Sequence, residues 1–149
     1  KIIKSKNNKN KLNLFKNKYL AEIRSNLNKG KTPVLFTSRK VISLDSKTEQ
    51  VNFYNSLAEF ISELVENLKN EIGYLISKGG ITSNVILSHG LKADYVYLQG
   101  QIETGISLLT FKLKNDDYLP IVTFPGNIGN QYSLVNVWRM IENKNSLSD

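Results

Sequence analysis

Apolar residues recur every three or four positions in three stretches of the chain, and this spacing predicts three amphipathic helices. The first helix is expected to end at Gly30, and the second to span residues 52–70 with its glutamates facing water. Each apolar stripe is predicted to be the inner face of its helix. The stripes are, in chain order, Leu12, Phe15, Tyr19, Ile23 and Leu27; Phe53, Leu57, Phe60, Ile61, Leu64 and Leu68; and Leu134, Val137, Trp138 and Ile141.

Shorter apolar runs lie between these helices and predict strands. The runs are PVLFTS at 33–38, IGYLIS at 72–77, ADYVYLQG at 93–100, GISLLTFKL at 105–113 and LPIVTF at 119–124. The first run is expected to be a short buried strand, and KNDDY at 114–118 a hairpin turn. Because helices and strands alternate through much of the chain, we predict a single three-layer α/β domain with a mixed, mostly parallel sheet flanked by helices. This domain is expected to span residues 1–149, with 143–149 as a tail.

The composition is that of a globular domain and excludes several kinds of site. The 149 residues suffice for one core, and no apolar run approaches the roughly 20 residues of a membrane helix. The absence of cysteine excludes disulfides and thiolate chemistry, and the single histidine, His89, excludes a histidine-rich metal centre. No signal peptide is visible, so we expect a cytoplasmic location.

The net charge of +7 is concentrated at the start of the chain. Residues 1–40 contain twelve basic residues and one acid, Glu22, whereas the remainder contains eight basic and twelve acidic residues. One interpretation is a basic arm for nucleic acid or another polyanion, and the other is a solvated surface rich in Lys and Asn. Phe15 and Tyr19 follow helical spacing, which is typical of a core and disfavours a base-stacking surface.

Two glycine-rich segments each stand between a predicted strand and a predicted helix. They are SKGGITSN, residues 77–84, and FPGNIGN, residues 124–130. In an α/β sheet such turns lie at the carboxyl ends of the strands, where backbone N–H groups and the helix dipole favour an anion. Glycine lets a phosphate approach the backbone, and Thr82 or Ser83 could bond to a phosphate oxygen. The alternative is two ordinary tight turns, with Thr82 or Ser83 as an N-cap.

Three other patterns are expected to be structural. Residues 25–32 (SNLNKGKT) end like a phosphate-binding loop, but a helix precedes them and a strand follows, which reverses the order that such a loop requires. Asp116 and Asp117 are interpreted as turn residues rather than as a metal pair. His89 is expected to have a capping or surface role, and Gly90 to cap the short helix after the first glycine segment.

Four blocks of the sequence resemble, in order and spacing, the nucleotide-binding C-terminal domain of the four-carbon acid sugar kinases, the family of the tetronate kinases. The blocks are TSRKVI at 37–42, SKGGITSN at 77–84, LQGQIETGI at 98–106 and VTFPGNIGN at 122–130. The resemblance extends from about Pro33 to the last helix. Two positions depart from the usual pattern of the family: Ile81 stands where many members have an acid, and Thr104 where proline is usual.

The resemblance implies that both glycine segments bind ATP, accompanied by Mg²⁺. The implied contacts are Gly79, Gly80, Ile81, Thr82, Gly126, Asn127 and Gly129, and the anion argument adds Ser83. In the family, an N-terminal domain binds the sugar acid and carries the catalytic base, and this chain resembles a nucleotide domain that is incomplete at its N-terminus. We therefore expect the chain alone to be inactive as a kinase, and we assign no catalytic residue.

The alternative function is that of a non-catalytic, truncated relative. Such a protein would act as a binding or assembly module, possible partners being a polyanion that contacts the basic first 40 residues or a second copy of the chain. Exposed strand edges could support a homodimer. A polyanion partner predicts an affinity that falls steeply with salt.

Overall fold

The first two helices pack against each other through apolar side chains. The computed structural model of the protein describes residues 9–38, 46–114 and 116–145. Helix α1 spans Lys9–Leu27 and helix α2 spans Lys47–Leu68. The hydroxyl of Ser46 accepts a hydrogen bond from the Glu49 N–H at 3.1 Å, and this cap starts α2 earlier than its apolar stripe indicated. The buried residues between the two helices are Leu20, Phe60, Leu64 and Leu68.

The described strands form one four-stranded mixed sheet in the order β1-β4-β3-β2. The strands are β1 Leu75–Lys78, β2 Tyr97–Glu103, β3 Ile106–Lys112 and β4 Tyr118–Phe124. Strand β1 is parallel to β4, whereas β2 with β3 and β3 with β4 are antiparallel. The prediction of a single α/β domain with a mixed sheet is confirmed, but the sheet is not mostly parallel. Consecutive strands joined by turns this short can pair only in the antiparallel sense.

Helices cover both faces of the sheet, as the three-layer prediction required. Helix α3, Gly80–Val85, continues as a π-helical turn, Ile86–Gly90, and helix α4 spans Ser133–Asn145. On one face, Leu119 and Ile121 of β4 pack with residues of α2 and of the π-helical turn. On the other face, Val122 and Phe124 pack with α4, which contributes Val137 and Ile141. Helix α4 extends to residue 145 and so continues into the segment that was expected to be a tail.

The segment 33–38, predicted as a buried strand, is not part of the described sheet. It forms no ladder with the described strands, and Val34 and Phe36 are 70% and 82% exposed. The prediction of a buried strand is therefore wrong. The composition of the segment favours an extended backbone, but a strand also needs a neighbouring ladder, which composition does not provide.

A polar cluster links Thr32, the residue before that segment, to Tyr74 just before β1 and to α4. The Thr32 hydroxyl accepts a hydrogen bond from Trp138 Nε1 at 3.2 Å and lies 3.2 Å from the Tyr74 hydroxyl, which donates to the Glu142 carboxylate. Burial, followed by the hydrogen bond to Glu142, raises the pKa of Tyr74. Trp138 and Leu134 are 37% and 39% exposed, so their assignment to the inner face of α4 is wrong. Over residues 133–142 of α4, the buried side chains are Ser133, Val137 and Ile141.

Two glycines near helix ends have different roles. Gly30, with a φ of +66°, ends α1 as predicted, and its N–H donates to the Leu27 carbonyl at 2.9 Å. Gly90 does not have a left-handed backbone, so its predicted role as a C-cap is wrong. A Cβ on Gly90 would lie 2.8 Å from the carbonyl oxygen of Ser62, so glycine is needed there for close packing against α2. The left-handed residue after this helix is Lys92, with a φ of +55°.

Candidate functional site

The two glycine segments meet at one end of the sheet. Strands β1 and β4 are parallel, and their last residues, Lys78 and Phe124, are paired in register. The Gly79 N–H donates to the Phe124 carbonyl at 2.8 Å, which ties the first segment to the end of β4. A Cβ on Gly126 would lie 4.0 Å from the Cα of Gly79. The fold therefore places both predicted turns side by side at the carboxyl ends of neighbouring parallel strands, where ligands bind in open α/β sheets.

The first turn is open on its outer side. Gly79 has a φ of +105°, a conformation that favours glycine, and it connects β1 directly to α3. A Cβ on Gly80 would have no neighbouring atom within 4 Å, and the side chain of Ile81 is 73% exposed. The hydroxyl oxygen of Thr82 lies 3.9 Å from the position of a Cβ on Gly79. The turn thus combines accessible backbone with one hydroxyl group, which suits the close approach of a ligand.

Ser83 supports this turn from the inside. Its side chain is buried, and its hydroxyl oxygen lies 3.0 Å from both the Ser77 hydroxyl and the Gly79 carbonyl. The Ser83 N–H also donates to the Gly79 carbonyl, at 2.9 Å. Ser83 therefore holds the end of β1 against the start of α3, and it does not act as the N-cap. Glycine occupies the N-cap position, at Gly79.

The second turn is packed against the helix that follows it. Gly129 has a φ of +90°, and a Cβ there would lie 2.8 Å from Ser133 and 3.0 Å from the Phe124 ring. The Asn130 N–H donates to the Ser133 hydroxyl at 3.0 Å, and the Asn130 side-chain oxygen accepts from the Tyr132 N–H at 2.8 Å. These bonds fix the start of α4. Gly126 and Asn127 are exposed.

A third block of the family resemblance reaches the same end of the sheet. The turn between β2 and β3 contains Thr104 and Gly105. A Cβ on Gly105 would lie 2.8 Å from the side chain of Ile128, so this hairpin packs against the second glycine turn. Three of the four blocks are thus brought together, whereas most of TSRKVI, residues 37–42, lies outside the described residues.

Lys78 is the residue of this site that the sequence analysis did not single out. Its ammonium group lies 4.1 Å from the centre of the Phe124 ring and donates to the Pro125 carbonyl at 3.2 Å. The side chain therefore lies between the two turns. Residues 77–84 and 124–130 contain no acid, so Lys78 gives the two turns a local positive charge. Its position directly before two glycines at the end of a strand was the available signal.

The two turns offer open backbone to a ligand rather than a set of metal-ligating side chains. The open space at Gly80 and the accessible backbone at Gly79 and Gly126 leave room that side chains would fill. Within the described ranges, no group of three His, Asp or Glu residues could hold a metal ion. The buried carboxylate oxygen Oε2 of Glu103 lacks a hydrogen-bond partner, but Glu103 is three strands away from Lys78, roughly 14 Å by strand spacing.

The other candidate residues have structural positions. Asp116 has a φ of +66° and pairs with Lys112 at 2.7 Å, and the Asp117 carbonyl accepts from the Leu113 N–H at 2.8 Å. These contacts confirm the interpretation of a hairpin turn. His89 is exposed in the π-helical turn. Across the described ranges, no helix has the length and apolar character needed to cross a membrane.

Comparison with known proteins places the chain in a family. Residues 3–134 match the family described as the nucleotide-binding C-terminal domain. No curated protein matches the sequence. A solved structure of similar fold is a domain of unknown function, DUF1537, from Bordetella bronchiseptica, obtained with bound citrate as a domain-swapped dimer.

That structure shares 21% identity and a TM-score of 0.57 with the chain. The alignment covers 83% of this chain and 30% of the other, so the chain spans less than a third of the length of that protein. At this identity the likeness shows a common fold. The family match, by contrast, extends over most of the sequence. The chain belongs to the family of nucleotide-binding C-terminal domains.

Proposed function

We propose that the two glycine turns bind the phosphates of ATP, and that the chain is the ATP-binding portion of a four-carbon acid sugar kinase of the threonate or erythronate type. The observation that carries the proposal is the contact between the turns at the ends of β1 and β4, in a chain of the nucleotide-binding family. Open backbone at two adjacent turns is what a chain of phosphate groups requires.

The residues of the two turns have different roles in this proposal. Gly80, Ile81 and Thr82 contribute backbone N–H groups, and Thr82 also contributes a hydroxyl. The N–H of Gly79 is already bonded to the Phe124 carbonyl, so Gly79 contributes open space beside the backbone, and Ser83 holds the turn from its buried side. Gly126, Asn127 and Gly129 form the opposite side of the phosphate site, and Gly129 and Ile128 anchor it to the rest of the domain.

Magnesium would come with the nucleotide in this proposal. Mg²⁺ usually keeps several waters and binds to substrate phosphates with only one or two carboxylates. The two turns contain no carboxylate, so we assign no protein ligand and no catalytic step to the ion.

The sugar acid and the catalytic base would belong to another part of a longer protein. Phosphoryl transfer depends mainly on positioning and charge stabilisation, so a nucleotide site without its own nucleophile is compatible with a kinase. We accordingly expect the chain alone to bind nucleotide without transferring phosphate.

Gly80→Val tests the proposal, because Gly80 has space for a side chain and needs no left-handed backbone. The valine should obstruct the phosphate site while leaving the domain folded. Gly73→Val is the matched control: a Cβ on Gly73 would likewise have no atom within 4 Å, but Gly73 precedes β1 at the opposite end of that strand.

Melting temperature with and without Mg-ADP is the measurement. A ligand at 100 times its Kd stabilises the folded state by about 2.7 kcal/mol, which raises the melting temperature by several degrees. The wild type and Gly73→Val should both show this rise, and Gly80→Val should lose it. The proposed site would be contradicted if Mg-ADP left the melting temperature of the wild type unchanged, or if it raised that of Gly80→Val as much as that of the wild type.

The second candidate is a non-catalytic binding module. Exposed basic residues on and after α1, including Lys18, Lys29 and Lys31, favour a polyanion as its partner. Two other basic residues of α1 are neutralised by ion pairs, Lys16 with Glu63 and Arg24 with Glu71. Binding of a short single-stranded DNA that weakens steeply between 50 and 200 mM salt, on the order of a thousandfold, would support this candidate.

A homodimer is a further element of the second candidate. The related Bordetella structure is a domain-swapped dimer, and in the described sheet β1 and β2 are edge strands. Light scattering after size-exclusion chromatography would give the mass directly. A monomer at all concentrations would remove the assembly role.

A further inference from the structure

We propose that Lys78 is a phosphate-binding residue of the nucleotide site and makes the site selective for nucleotides with more than one phosphate. The inference rests on the proposed function, which places phosphates at the two turns. It assigns a role to a side chain that neither the glycine pattern nor the family resemblance identified. The chemical class of ligand is a nucleoside di- or triphosphate.

The backbone determines where Lys78 lies. It is the last residue of β1 and is paired with Phe124, the last residue of β4. Side chains alternate along a strand, and Ser77 faces inward toward Ser83, so Lys78 projects to the other face of the sheet. There its ammonium group lies over the Phe124 ring, beside the carbonyl of Pro125. The cation is therefore held at the junction of the two turns.

The known contacts of Lys78 leave part of the ammonium group available. An ammonium group has three donors, and one of them binds the Pro125 carbonyl at 3.2 Å. Lys16, Arg24, Lys92 and Lys112 are the basic partners in ion pairs of the described residues that lie away from the two turns. Lys78 has no carboxylate partner in that set, and its side chain is exposed. A free cation between two glycine turns can neutralise an approaching phosphate.

The packing role of Lys78 can be separated from its charge. Phe124 is 2% exposed, and the aliphatic part of a lysine can cover an aromatic ring while the charged end stays in water. Methionine keeps a flexible apolar chain of similar length over the ring but removes the charge. A purely structural lysine would therefore tolerate this replacement with unchanged nucleotide affinity.

Calorimetric titration of the whole chain with ADP, AMP and adenosine tests the inference. The variants are Lys78→Met, Lys78→Arg and the control Lys114→Met, which removes the same charge from the hairpin turn at the opposite end of β4. A hydrogen bond to a charged group corresponds to a change in Kd of about tenfold to a hundredfold. Lys78→Met should weaken ADP binding by that factor and AMP binding by less. Adenosine binding should not change.

Lys78→Arg and the control Lys114→Met show whether the effect comes from the positive charge at position 78. Lys78→Arg should retain most of the ADP affinity, and Lys114→Met should bind as the wild type does. Equal ADP affinity in Lys78→Met and the wild type would overturn the role of Lys78 while leaving the proposed function intact. Equal losses for ADP and adenosine in Lys78→Met would also overturn it, since they would indicate a general disturbance of the site. Absence of ADP binding in the wild type would instead overturn the proposed function, and this inference with it.

Discussion

The two glycine turns look alike in sequence, but they are stabilised in different ways. The turn at Gly79 and Gly80 is open on its solvent side, and on its buried side it is held by hydrogen bonds of Ser83. The turn at 125–130 is held by packing, because Gly129 lies against Ser133 and the Phe124 ring. The same residue type therefore provides access in the first turn and close contact in the second.

This difference teaches that glycines at one site need not share a function. Where a Cβ would meet only solvent and the backbone is not left-handed, as at Gly80, a glycine can be replaced without loss of stability, and any effect on binding is then direct. Where a Cβ would collide with neighbours, replacement changes the fold and the binding together. Three substitutions test this contrast, beginning with the largest expected change in stability.

Gly129→Ala should destabilise the domain by about 2 to 4 kcal/mol. The left-handed backbone costs about 1 to 2 kcal/mol for a residue with a Cβ, and a collision with Ser133 at 2.8 Å adds a similar amount. Urea unfolding monitored by circular dichroism measures the change. A midpoint equal to that of the wild type would show that the second turn is not held by packing at Gly129.

Ser83→Ala should destabilise the domain by about 1 to 2 kcal/mol, because it removes buried hydrogen bonds and leaves the hydroxyl of Ser77 without this partner. Ser88→Ala is the matched control. The Ser88 hydroxyl also donates to a helical carbonyl, that of Asn84, but it does so at the surface. Its effect on the urea midpoint should be smaller. Similar midpoints for the two variants would contradict the supporting role of Ser83.

The sequence predicted the elements of the site better than it predicted what surrounds them. Two glycines close together after an apolar run identified each turn, because a left-handed backbone at Gly79 or Gly129 leaves a clear signal in residue type. The two turns are adjacent because β1 and β4 are neighbours and run parallel, which is the one parallel pairing among the described strands. Lys78 was missed because its place before two glycines does not show what its side chain contacts, and its nearness to Phe124 and Pro125 results from the pairing of β1 with β4.

Predictions failed where burial depends on partners distant in the chain. The spacing of Leu134 and Trp138 is that of an inner helix face, yet Trp138 bonds to Thr32 at the surface. The run at 33–38 has the composition of a strand but no ladder in the described sheet. Gly90 has the position of a helix cap, but it is needed for contact with Ser62. In each case the local pattern is real, and a long-range contact decides its role.

Gly126→Ala should change stability least of the three and separate the two roles of glycine most clearly. Its Cβ would lie 4.0 Å from the Gly79 Cα, an ordinary contact, and Gly126 has no left-handed backbone. The unfolding free energy should stay unchanged or rise by up to about 1 kcal/mol, since alanine restricts the unfolded chain. The added methyl group lies between the turns, so ADP affinity should nevertheless fall. Unchanged ADP affinity at unchanged stability would mean that phosphate does not bind at the junction of the two turns.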